Sequence, residues 1–71
     1  MKSPNAPVSS VLEVIKTFRG EKQSTGPRGE WIVVFDNRSD MQNTTSLVGM
    51  LQGWSAEAHP GAKNTIRIFA E

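Results

Sequence analysis

Five apolar residues in succession, Trp31-Ile32-Val33-Val34-Phe35, restrict this chain more than anything else in it. Their β-branched and aromatic side chains favour strand. In a strand successive side chains alternate, so Trp31, Val33 and Phe35 share one face while Ile32 and Val34 share the other. Both faces are then apolar, the pattern of a central strand rather than an edge. Residues 30–36 are therefore expected to form an inner strand, and the rest of the chain must supply neighbours and cover for it.

The material for that cover is limited. Seventy-one residues make one domain, and a domain of this size buries only about 60% of its unfolded surface. The chain contains no cysteine and one histidine, which leaves no disulfide and no structural zinc site to staple it. With 37% hydrophobic and 21% charged residues it falls in the globular range. Such a chain folds on its apolar segments alone or gains a second core by pairing with another copy or a partner.

Residues 1–7, with two prolines, are expected to be a flexible tail, and residues 8–71 a single small domain. Between residues 8 and 20 two templates compete. As a helix, Val8, Val11, Leu12, Ile15 and Phe18 share a face, Ser10 and Glu13 make a capping box, and Gly20 stops it. As a strand, residues 11–19 would give the sheet a third member, which a small monomer favours. Local pattern prefers helix and architecture prefers strand. Residues 20–29, with three glycines and Pro27, read as a turn-rich loop.

Beyond the polar break at residues 36–40, Leu47, Val48, Met50, Leu51, Trp54 and Ala58 recur at helical spacing. This predicts a helix at about 44–58, capped by Asn43 or Thr44 and ended by Pro60-Gly61. Gly49 and Gly53, four apart, would open one side of that helix to close approach or to a docking groove. Residues 65–70 alternate as a strand, expected at an edge, and the long connection permits a right-handed parallel crossover from residues 30–36. The expected fold is α+β: a two- to three-stranded sheet (30–36, 65–70 and optionally 11–19) packed against a helix at 44–58.

Catalytic chemistry finds little to work with. Asp36 ends the apolar strand, where helix-crossed sheets tend to bind ligands, with Asp40, Arg38 and His59 as conceivable partners. A calcium loop fails on Arg38 in the third position and Met41 in the sixth, where a ligand and a glycine belong. Asp36 reads best as the polar residue that stops the strand. Thr44 and Thr45, at the expected helix start, could hold an anion with Arg38, although ordinary capping explains them as well. His59, before Pro60, suits a helix C-terminus better than a general base. No phosphate-binding glycine motif is present, so no catalytic residue, cofactor or metal is assigned and the chain is not expected to be an enzyme.

A net charge of +1 argues mildly against a dedicated duplex-DNA or membrane-surface protein. No apolar run approaches the roughly 20 residues that span a bilayer, and the N-terminal residues lack the apolar core of a secretory signal. No membrane partner is expected, and the default compartment is the cytoplasm. The leading expectation is a small non-enzymatic protein-interaction module, a regulator, inhibitor or accessory subunit. It would act through a sheet edge or helix face on a protein partner or on a second copy of itself. The alternative is nucleic-acid binding, with Arg19, Lys22 and Arg28 of the basic loop 19–29, Lys63 and Arg67 contacting phosphates. Burial of Trp31 and Phe35 favours the first reading; exposing them as stacking platforms would favour the second.

Overall fold

A computed structural model describes residues 5–71. The chain runs α1 (Val8–Thr17), β1 (Glu21–Thr25), β2 (Trp31–Val34), α2 (Arg38–Gly49), β3 (Trp54–Ala58) and β4 (Thr65–Ala70). The four strands form one antiparallel sheet in the order β1-β2-β4-β3. The α+β class is as expected, with four strands instead of two or three.

The first segment is a helix. Its amphipathic pattern wins because β1 supplies the neighbour that the sheet would otherwise lack. Pro7, in extended conformation, is the N-cap, with no side-chain cap. The helix therefore starts upstream of Ser10, and the Ser10–Glu13 capping box is not used. Of the expected tail, residues 1–4 lie outside the described residues. Ala6 is held at both ends of its peptide units: its N–H donates to the Gln52 carbonyl at 2.8 Å, and its carbonyl accepts from Trp54 Nε1 at 2.8 Å.

The loop expected at 20–29 is largely strand and hairpin. Glu21–Thr25 pairs with β2 through a register shift between Lys22 and Ser24. The turn closes with the Gly29 N–H donating to the Gly26 carbonyl at 3.0 Å. Gly29 has φ +84°, the left-handed residue that follows a tight turn in short hairpins.

The expected helix at 44–58 is corrected to two elements. Its helical part starts six residues earlier, at Arg38. There the N-cap is Asn37: the Asp40 N–H donates to Asn37 Oδ1 at 2.8 Å, and Asn37 Nδ2 donates to Asp40 Oδ2 at 3.0 Å. The helix stops at Gly49, and Gly53, at φ +82°, turns the chain into β3. The two glycines thus end a helix and turn a corner, so they do not line one helix side. His59, Pro60 and Gly61 belong to the β3–β4 connection rather than to a helix end. Because β3 returns directly into β4, the expected parallel crossover is replaced by antiparallel pairing of β2 with β4. β4 is consequently an inner strand, not an edge; the edges are β1 and β3.

The register puts Trp31 opposite Ile68 and Val33 opposite Ile66. These residues share the face on which both helices pack, and with Val11, Ile15, Phe35 and Val48 the buried members form the core. The central place of residues 31–34 is as the apolar run implies. Only one of its two faces, however, is roofed by helix.

Candidate interaction surface

On the uncovered side, Ile32 and Val34 of β2 stand beside Arg67 and Thr65 of β4, and Phe69 stands beside Ser55 of β3. Ile32, Val34 and Phe69 are half-buried although no helix covers them. Glu57 lies opposite Arg67, and their side chains form the one ion pair among the described residues. Arg67 Nε is buried without a hydrogen-bond partner. A half-open depression of about 680 Å³ adjoins this face, lined by Pro27, Arg28, Glu30, Ile32, Arg67 and Phe69 among others. Glu30 is 9% exposed. Its carboxylate occupies the place that a Cβ at Gly26 would take, so a larger residue there would have to displace the Glu30 side chain. The charged residues of this face are Arg28 and Arg67 against Glu21, Glu30, Glu57 and Glu71, whose carboxylate accepts from the Ser55 hydroxyl, which leaves no cationic excess to attract phosphate.

The other positions singled out from sequence fall elsewhere. Lys22 is on the helix-covered side, with Nζ 5.2 Å from the centroid of the Trp31 ring, a cation–π distance. Arg19 is in the α1–β1 connection with φ +58°. Lys63 lies in the β3–β4 turn, at the Val34–Thr65 end of the sheet. Arg28 is in the β1–β2 hairpin, at the opposite end. The five cations are therefore distributed over both faces and both ends of the molecule.

The anion site expected from Arg38, Thr44 and Thr45 rests on a helix start that the structure moves. Thr44 and Thr45 are inside α2, where backbone N–H groups are already used. Thr44 is fully buried with its hydroxyl unpartnered, and Thr45 Oγ1 donates to the Met41 carbonyl at 2.8 Å. Arg38 is the first residue of α2 and shares a shallow depression of about 530 Å³ with Asp36 and Lys63. Asp36 is exposed just past β2, where a polar residue ends a strand. His59 Nδ1 is 2.8 Å from the Pro60 carbonyl.

The aromatic side chains are taken up by the fold. Phe35 is 4% exposed. Trp31 packs at a 50° tilt on Trp54, ring centroids 6.0 Å apart, within the range of favourable aromatic pairs. Neither ring of the apolar run stands open as a stacking platform. What sequence reasoning missed is the pair of edges: β1 carries no apolar residue, and β3 hides its alternation of Trp54, Ala56 and Ala58 inside a helical spacing.

Among the described residues no helix is long and apolar enough to cross a membrane. No group of three His, Asp or Glu side chains there converges as a metal site. Comparison of the chain with protein families, with curated proteins and with solved structures gives no significant match.

Proposed function

We propose that this chain is a small non-enzymatic protein-interaction module that acts through its sheet and self-associates. One observation carries the reading: both helices pack on the same side of the sheet, and the other side keeps Ile32, Val34 and Phe69 half-exposed within a rim of mixed charge. A sheet face of that chemistry suits a protein surface, since interface cores are apolar and aromatic with charge at the rim. The non-enzyme part of the reading rests on the sequence, which offers one histidine and no cofactor motif; the larger depression does bring His59 together with Glu30 and Glu57. The protein reading is favoured over a polynucleotide because the basic side chains are dispersed and both tryptophans are engaged internally.

Sedimentation equilibrium across the micromolar range tests it, with a reversible monomer–dimer equilibrium as the expected result. A monomer throughout that range removes self-association. Titration of single- and double-stranded DNA and RNA at low salt is expected to show no binding. Binding that weakens steeply with added salt would instead establish the phosphate-contact reading.

A further inference from the structure

The two edges of the sheet are not alike. β1 carries Glu21 and Lys22 and is interrupted by a register shift, both features that protect an edge from pairing with another strand. β3 pairs with β4 without any shift over five residues, has no lysine, arginine or proline, and bears alanine at two of its five positions. Its hydrogen-bond phase follows from the bonds at its two ends. The Glu71 N–H donates to the Gly53 carbonyl and the His59 N–H to the Thr65 carbonyl. In an antiparallel ladder bonded residues alternate, so Ser55, Glu57 and His59 turn their backbone groups towards β4. Trp54, Ala56 and Ala58 turn theirs outwards. Of these, the Trp54 N–H is already bonded to the Leu51 carbonyl. Among the described residues, the N–H and C=O of Ala56, the N–H and C=O of Ala58 and the Trp54 C=O have no partner of that kind. Among the described residues Ala6 bonds to the Gln52 carbonyl and to the Trp54 side chain, at the start of β3.

We propose that β3 pairs antiparallel with β3 of a second copy across a two-fold axis at Ala56, joining two four-stranded sheets into one of eight strands. The proposal rests on the self-association reading and specifies its geometry. Overlap and charge together select the register: an axis at Ser55 would carry Ala58 past the end of the partner strand. An axis at Glu57 would set Glu57 against the partner's Glu57 in a close pair, and like charges placed directly opposite are unfavourable. An axis at Ala56 sets Ser55 against the partner's Glu57 on the open face and Trp54 beside the partner's Ala58 on the helix face. A small side chain there leaves room for the indole. Each Ala56 then exchanges an N–H···O bond with its copy, and each Ala58 N–H donates to the partner's Trp54 carbonyl. A self-complementary strand is the simplest closed interface for an isologous dimer, and the two uncovered faces merge into one larger surface.

Amide hydrogen exchange on the whole chain, at concentrations where dimer and then monomer predominate, reads the geometry directly. The Ala56 and Ala58 amides are expected to exchange about tenfold or more slowly in the dimer. The outward Thr25 amide on β1 is expected to be unchanged. Ser55→Lys is expected to tighten the dimer by facing the partner's Glu57, and Ser55→Glu to weaken it. Ala56→Pro removes an outward N–H, a position where edge strands accept proline, and is expected to weaken dimerisation about tenfold or more. Thr25→Pro on β1 serves as its control. A dimer whose Ala56 and Ala58 amides stay unprotected overturns the β3 geometry while leaving self-association standing. A chain that remains monomeric overturns both. Circular dichroism of each variant separates loss of pairing from loss of fold.

Discussion

The hydroxyl of Thr44 lies in the core without a hydrogen-bond partner, on a residue with no exposed surface. A buried hydroxyl left unpaired costs about 1–3 kcal/mol, and valine has nearly the same shape and helix propensity. Thr44→Val is therefore expected to stabilise the fold by about 1 kcal/mol, which raises Tm by about 4–8 °C in a domain of this size. Thermal unfolding followed by circular dichroism checks it, and a fall in Tm would show that the hydroxyl has a bond after all. In the sequence, Asn43-Thr44-Thr45-Ser46 looks like a helix start because short hydroxyl side chains cap helices well. The stronger cap was six residues earlier: Asn37, with Asp40 three positions on, is a reciprocal pair written into the chain. Asp36-Asn37-Arg38-Ser39-Asp40 read as a plain polar break because capping residues and loop residues are the same residue types.

At the level of elements, the α1–β1 connection separates two roles that a glycine near a helix end can have. The left-handed residue is Arg19, at φ +58°, not Gly20. Gly20 is needed for room instead: a Cβ there would come within 2.6 Å of the Phe35 ring. The two positions should thus respond with opposite signs. Arg19→Gly is expected to stabilise by about 0.5–1 kcal/mol by removing the left-handed penalty. Gly20→Ala is expected to destabilise by about 1–3 kcal/mol through overpacking. Urea denaturation of both variants tests the assignment; two changes of the same sign would refute it. The elements themselves were unevenly legible. The apolar run of β2 could be read directly; α1 was legible only in part, since strand competed with helix there and, of its expected face, Val11 and Ile15 are buried while Val8 and Leu12 are exposed. β1 could not, since all five of its residues are exposed and it is a strand only because β2 offers it a ladder. β3 reads as helix because alanine and glutamate favour helix. Only the left-handed turn at Gly53 and the open ladder on β4 make it extended.

Among the described residues the fold rests on a core of seven buried apolar side chains: Val11, Ile15, Val33, Phe35, Val48, Ile66 and Ile68. For 71 residues, ordinary per-residue stability gives a total of about 4–10 kcal/mol. Ile68 is fully buried on the central strand β4, and Ile→Ala substitutions in cores cost about 2–5 kcal/mol. Ile68→Ala is accordingly expected to remove a large part of the total, leaving a marginal or unfolded chain by circular dichroism and urea titration. A loss below about 1 kcal/mol would mean that the core is not where the fold places it. A core this small is also the reason that an uncovered sheet face and an open edge bear on function: among the described residues no further layer closes them.

By itself the sequence determined the class of the fold and the inner position of residues 31–34. Each of these follows from a local period of hydrophobicity that only one backbone conformation can bury. Tertiary structure alone decided that residues 54–58 are strand, that β4 is flanked on both sides, and that the two helices roof the same face. Those outcomes depend on which hydrogen-bonding edges and apolar surfaces meet across the chain. Contacts between residues distant in sequence leave no period in it to be read.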